Sequence, residues 1–265
     1  MIRICSMDVG YCNSAHYVED FHSDDIDSIR KKYEKLPNIK KRRVKGGALN
    51  PEVENLIQET IMTGERVHTG VYTFVDNIGQ GLDISTRIKL LNHFNEYTWL
   101  WDTCDIFIIE QQFFSTRIKG KKGTVEANIN CLKIAEVLFM WFLERYPFKV
   151  IAYIGSQNKT QVLGAPWGMT KPQRKKWATQ KALEIYIDRE DQDMITLYDL
   201  AEAVKRKQIK TMERVLQFKS DYPCESEDAD DLSTKIICEK QKLEDPADAC
   251  CQCQAYKFRT FVACY

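Results

Sequence analysis

Residues 105–111, DIFIIEQ, set four consecutive large apolar residues between Asp105 and Glu110. A short unbroken apolar run reads as a strand buried on both faces, the kind found in parallel sheets covered by helices. Residues 2–9 (IRICSMDV) and 148–154 (FKVIAYI) have the same character. Strand chemistry is also present from about Ala15 to Phe21 and over 67–75 (VHTGVYTFV). Helical patterning covers about 82–101, where Ile84, Ile88, Leu91 and Trp99 fall near helical spacing. It returns over about 124–146, with the block VLFMWFL, and over about 171–187; a last helix begins near Pro246. The order β-β-β-α-β-α-β-α predicts an α/β fold with a mixed central five-stranded sheet flanked by helices.

Two stretches stand apart from that order. Residues 23–66 are polar and include the basic run IRKKYEKLPNIKKRRVKGG, with Pro51 opening a helix from Glu52 to about Met62. Residues 188–241 are charged, acidic and expected to be helical in part. Neither carries enough regular apolar pattern for a core of its own, so they read as insertions in a single domain spanning 1–265.

The formal net charge is zero, but it is unevenly spread. Residues 111–183 hold 13 Lys or Arg against 3 Asp or Glu, whereas residues 184–248 hold 10 against 18. A local basic surface is all that contact with phosphates requires; mixed charge on surface helices is the plain alternative. On the 171–187 helix, Lys171, Arg174 and Lys175 share one face, widened by Lys176 and Lys181. The loop RIKGKKG adds Arg117, Lys119, Lys121 and Lys122, with glycines that let the backbone approach phosphate. These contacts would be independent of sequence and sensitive to salt. The stretch Lys40 to Lys45 reads equally as a further DNA arm, a nuclear-import signal or a solvated loop. Trp167, in a GAPWGM turn, reads as a wedge against an unstacked base or as packing against the basic helix.

No run of about 18 uncharged apolar residues is present, so no membrane span is expected. The opening MIRICSMDVGY reads as a strand and not as a signal peptide. Ten cysteines are therefore expected to stay reduced in an intracellular compartment. Cys5, Cys104 and Cys131 lie in or beside apolar segments. Cys250, Cys251 and Cys253 lack CxxC spacing, which favours core packing over a zinc site.

Three acidic signposts carry the chemistry. Asp8 ends the first strand, Glu110 ends the central one, and Asp245 and Asp248 stand one turn apart in LEDPADA. Each has an ordinary explanation: Asp8 as a turn residue, Glu110 as a strand end reaching solvent, and Asp245-Pro246-Ala247-Asp248 as an N-cap, first-turn proline and capping-box acid. Together they form an all-oxygen donor set suited to hard divalent cations, Mg²⁺ or Mn²⁺. The denser group Asp228, Asp230 and Asp231 lacks a framing element and the EF-hand glycine and glutamate, and reads as an exposed acidic loop.

The turn SMDVGYCNSAHYV, with its DxGxxN pattern (Asp8, Gly10, Asn13), the IIEQQ strand and the EDPADA helix start resemble the RuvC-like Holliday junction resolvases. The resemblance is greatest to the branch of poxviruses and other large DNA viruses, related to the yeast mitochondrial cruciform-cutting enzyme. LDISTRIKLLNHFNEYTWLW and NINCLKIAEVL also fit it, and it covers about three-fifths of the chain, in blocks, leaving 23–66 and 188–241 outside. It implies an RNase H-like fold and an endonuclease that resolves four-way DNA junctions with two Mg²⁺ ions, for which Mn²⁺ would substitute. Asp8, Glu110, Asp245 and Asp248 would be the metal ligands, and Lys159 would stabilise transition-state charge. Cleavage would leave 5′-phosphate and 3′-hydroxyl ends. Paired cuts imply a C₂ homodimer, with Val137 to Leu143 as a candidate interface against core burial for most of that block. A place in a viral replication factory, in the host cytoplasm or nucleus, follows from the same resemblance. Two other readings remain: an RNase H-like nuclease for other branched or hybrid substrates, and a non-catalytic junction-binding protein.

Overall fold

A computed structural model describes every residue except 11–12, 39–42, 44–46, 75–81, 113–114, 118–123, 127–128, 206–242 and 265, and the backbone alone of 115–117, 124–126, 157–158 and 203–205. The mixed sheet is made of β1 (Ile2–Val9), β2 (Asn13–Phe21), β3 (Gly64–Thr73), β4 (Ile106–Gln111) and β7 (Val150–Gly155). Its order is β3-β2-β1-β4-β7. β1 pairs antiparallel with β2 and parallel with β4, and β4 pairs parallel with β7. A separate two-stranded ribbon joins β5 (Ser115–Arg117) and β6 (Thr124–Glu126).

Side-chain alternation along the strands separates two cores. Ile4, Tyr17, Ile106 and Ile108 face one core with α1 (Ser23–Lys35), α2 (Pro51–Met62), α7 (Lys171–Asp188), α8 (Gln192–Lys205) and α9 (Glu244–Lys257). Cys5, Met7, Val9, Phe107 and Ile109 face the other, with α3 (Ile84–Glu96), α4 (Thr98–Trp101) and α5 (Ile129–Arg145). The sheet is thus flanked by helices on both faces. A seven-residue helix, α6 (Ser156–Val162), follows β7 directly, and a π-helical turn at Phe258–Val262 follows α9.

Local chemistry sets several helix starts. Asn50 caps α2 by accepting from the Glu52 amide at 3.0 Å, with Pro51 in the first turn. Asp83 caps α3 through the Thr86 amide at 2.8 Å. At α7 the Thr170 amide donates to the Gln173 side chain at 2.8 Å.

The structure corrects some sequence expectations and adds detail to others. The helix expected from 124 begins at Ile129, because Thr124, Val125 and Glu126 pair as a strand with Arg117, Thr116 and Ser115; β-branched residues favour that pleated pairing. The 148–154 strand is an edge strand with Val150 half-exposed, and Phe148 outside it is fully exposed. In the helix of 82–101, Ile84, Ile88 and Trp99 face solvent, and Leu90, Phe94, Tyr97 and Trp101 form the buried stripe. The expected insertion 23–66 supplies α1 and α2, whose Ile26, Ile29, Tyr33, Leu56 and Ile61 belong to the main core. Of the 137–143 block, Leu138, Trp141 and Phe142 are buried, while Met140 and Leu143 are exposed. Among the described residues, no helix is long and apolar enough to cross a membrane.

Candidate active site

The register of β1 on β4 aligns Ile4 with Ile106 and Ser6 with Ile108. One step further along the same face, Asp8 and Glu110 leave adjacent parallel strands side by side. From β1 the chain runs outward through β2 and β3, then returns to β4 on the other side. Such a reversal, at the strands' carboxyl ends, is where open α/β sheets bind ligands.

The third acid comes from α9, which lies across this face. That helix begins at Glu244 after Leu243, with no side-chain cap. Asp245 and Asp248 therefore sit inside the first turn and a half and do not act as cap and capping-box acid, which corrects the capping reading. On the same helix face, Gln252 donates to the Met7 carbonyl of β1 at 3.0 Å, fixing α9 against the strand that carries Asp8.

Lys159, brought in by α6, lies at the centre. Its ammonium is 2.9 Å from Asp8 Oδ1, 3.1 Å from Glu110 Oε1 and 3.0 Å from Asp248 Oδ2. All four side chains are largely buried. Gln112 donates to the other Glu110 oxygen at 2.7 Å and to the Val9 carbonyl at 3.3 Å. Asp245 accepts from Asn13 Nδ2 at 3.3 Å, and Asn13 accepts from the Thr73 hydroxyl at 2.8 Å. Gly10 belongs to this turn because a Cβ there would lie 2.8 Å from the Asn13 carbonyl oxygen.

The electrostatics are unbalanced. Burial and the neighbouring Asp8 push the Glu110 carboxyl up to about 7, against the opposing pull of Lys159. Burial likewise raises Asp248 to about 6, with Lys159 opposing and Asp8 adding to the rise. Burial alone would lower Lys159, but Asp8, Glu110 and Asp248 together hold it well above the usual lysine range. Three carboxylates against one ammonium leave surplus negative charge. Such a donor set suits a hard divalent cation. Among the described residues, no group of three or more His, Cys, Asp or Glu is arranged to hold a metal as it stands. The three carboxylates converge on the Lys159 nitrogen.

The expected phosphate-binding surface begins at the rim. Lys175 bonds Glu244 and lies close enough to Asp245 and Asp248 to be held up by their charge. Lys171, Arg174 and Lys176 are exposed, and Lys181 pairs with Glu184 at 3.3 Å. Arg117 is described by its backbone alone, and Lys119, Lys121 and Lys122 lie outside the described residues, as do Asp228, Asp230 and Asp231. In the 40–45 stretch only Arg43 is described; it bonds the carbonyls of Gly47, Gln161 and Ala165 and lies over Trp167. Trp167 is 59% exposed. Cys250, Cys251 and Cys253 are buried in the core, as are Cys5, Cys104 and Cys131.

Sequence reasoning missed the roles of Gln112 and Gln252. Gln112 was legible in outline, since it follows Glu110 by one alternation of the strand. Gln252 was legible only as one turn beyond Asp248.

No family model matches the chain. "Uncharacterized protein 97L" of Invertebrate iridescent virus 3 is 28% identical over 138 residues, covering 52% of this chain. The match spans about 57% of that relative's own length.

Proposed function

We propose that this chain is an RNase H-like, metal-dependent endonuclease that resolves four-way DNA junctions. The observation that carries the reading is the convergence of Asp8, Glu110 and Asp248 at the carboxyl ends of β1 and β4, with Asp245 and the basic start of α7 beside them. Asp8, Glu110, Asp245 and Asp248 would hold two Mg²⁺ ions, with Mn²⁺ as a substitute. Bound there, the ions supply water activation and charge stabilisation for in-line phosphodiester displacement.

The chain's own residues do the remaining work. Gln112 fixes the free oxygen of Glu110, and Asn13 fixes Asp245. Lys159 opposes the negative charge that builds on the phosphoryl oxygens. Lys171, Arg174, Lys175, Lys176 and Lys181 of α7 steer the backbone of the branched DNA, as Arg117, Lys119, Lys121 and Lys122 of the RIKGKKG stretch would. Matched cuts on a symmetric junction call for two sites, hence a homodimer; the exposed Met140 and Leu143 of α5 suit that contact. The iridescent-virus relative supports a viral origin, and with it work in a replication compartment of the host cytoplasm or nucleus.

Cleavage assays on matched four-way, three-way and RNA–DNA hybrid substrates test this reading. The four-way junction is expected to be cut best, and Asp8→Asn to lower its cleavage by about 100-fold or more. Equal cutting of the hybrid removes the junction assignment. An Asp8→Asn protein that cuts as fast as the wild type removes the site.

A further inference from the structure

The geometry points to Lys159 as a resident counter-ion that competes with the metal for the same three carboxylates and is expelled when the metal enters. This inference rests on the metal reading of the site and adds how that site is loaded. An ammonium has three N–H donors and no acceptor. Lys159 spends them within 3.1 Å of Asp8, Glu110 and Asp248, which come from β1, β4 and α9. These three are its only ion-pair partners among the described residues. The contact therefore does two things at once. It joins three elements distant in sequence around one positive centre, and it places that centre where the carboxylates would meet a cation.

The two occupants exclude each other. A divalent ion on these oxygens would put a second positive charge beside a largely buried ammonium whose partners had just been taken. Repulsion between like charges at that range is strong when water is scarce. Among the described residues, Asp8, Glu110 and Asp248 are the only acceptors that hold the Lys159 ammonium. The backbone of α6 need not move, since Thr160, Leu163 and Ala165 stay packed; only the long Lys159 side chain has to swing away. Leaving the carboxylates, the ammonium becomes available to a phosphate oxygen. The metal-free site is thus stabilised but closed. Loading it converts a structural lysine into one that can meet substrate.

Mn²⁺ binding to the full chain without DNA, followed by the loss of free-ion electron paramagnetic resonance signal, tests the competition. Lys159→Gln is expected to bind Mn²⁺ at least about tenfold tighter than the wild type, as removal of one adjacent unit charge implies. Equal or weaker binding by a folded Lys159→Gln protein overturns the inference and leaves the metal reading standing. If neither protein binds Mn²⁺, the metal reading fails, and the inference fails with it. A second measurement uses only the wild type, in case the variant does not fold. Reductive methylation read by mass spectrometry is expected to modify Lys159 at least several-fold faster with saturating Mg²⁺ than without it. Unchanged reactivity with Mg²⁺ bound overturns the expulsion.

Discussion

Around Glu19 one carboxylate is shared by two cations; around Lys159 one cation is shared by three carboxylates. Both clusters lie on the α9 face of the sheet, and both are buried. Glu19 accepts from Lys257, from Gln254, from Arg189 at 2.7 Å and from the Tyr17 hydroxyl at 2.8 Å. Burial alone would raise its carboxyl, yet Arg189 and Lys257 carry it down to about 2. Lys257 in turn is lowered, because burial and the charge of Arg189 outweigh what Glu19 gives back. That cluster holds its acid firmly ionised and closes α9 against β2 and the end of α7. The Lys159 cluster does the reverse, with two acids pushed up towards neutrality. Surplus cation around an acid locks a fold; surplus acid around a cation leaves a demand that a ligand can meet.

The contrast can be broken most sharply at Glu19. Glu19→Gln leaves Arg189 and Lys257 buried without their counter-charge. It is expected to cost about 3–5 kcal/mol in urea unfolding. Glu110→Gln, measured alongside without metal, is expected to cost nothing or to stabilise, since it removes one of the surplus charges. Similar losses at both positions would erase the distinction.

A smaller effect separates the clusters by pH. Glu110 and Asp248 are raised in the fold, so the native chain binds more protons than the unfolded one between their unfolded and folded values. Their contribution to metal-free stability is therefore expected to rise as pH falls from about 8 to about 5, by on the order of 1–3 kcal/mol. Glu19 is depressed, so its contribution is complete above about 4.5 and is lost as pH falls towards about 2. Buried His16 and His93, held below the usual histidine range by burial, oppose the rise from Glu110 and Asp248 by losing stability as pH falls below about 6.5. The thermal-midpoint difference between wild type and Glu110→Gln isolates the acid and should shift in favour of the wild type as pH falls from 8 to 5. A difference that stays constant over that interval would show that Glu110 is not raised in the fold.

The smallest effect belongs to the exposed surface, where neither cluster acts. Lys171→Ala is expected to weaken junction binding modestly and to reduce the slope of log affinity against log salt by about 0.9. Its unfolding should not change. An unaltered salt slope would remove Lys171 from the phosphate-contacting set.

The strands were legible because their signal is local. DIFIIEQ and IRICSMDV are short apolar runs tipped by an acid, and period-2 alternation places Asp8 and Glu110 on the face shared with Ile4 and Ile108. The helix stripe over 82–101 was not legible. Ile84 and Ile88 satisfy helical spacing as well as Leu90 and Phe94 do, and only the neighbouring sheet decides which pair is buried. The α9 start was misread for a related reason. Asp-Pro-Ala-Asp has good capping chemistry, but the helix begins two residues earlier, at Glu244, and leaves both acids to the site.

The sequence by itself determined the α/β layering, the acid-tipped segments and the separation of basic from acidic regions, since each is written in residue type and short-range spacing; Lys159 was singled out only through the family resemblance. Only the tertiary structure decided that β1 and β4 are parallel neighbours at the point where the chain reverses across the sheet. It also decided that Lys159 stands among the acids and not in a solvated loop, that Lys175 is tied to Glu244, and that Glu19 is locked between two cations. Those outcomes depend on contacts between residues 49 to 238 positions apart. Charge is local in sequence, but the balance of charge is a property of packing.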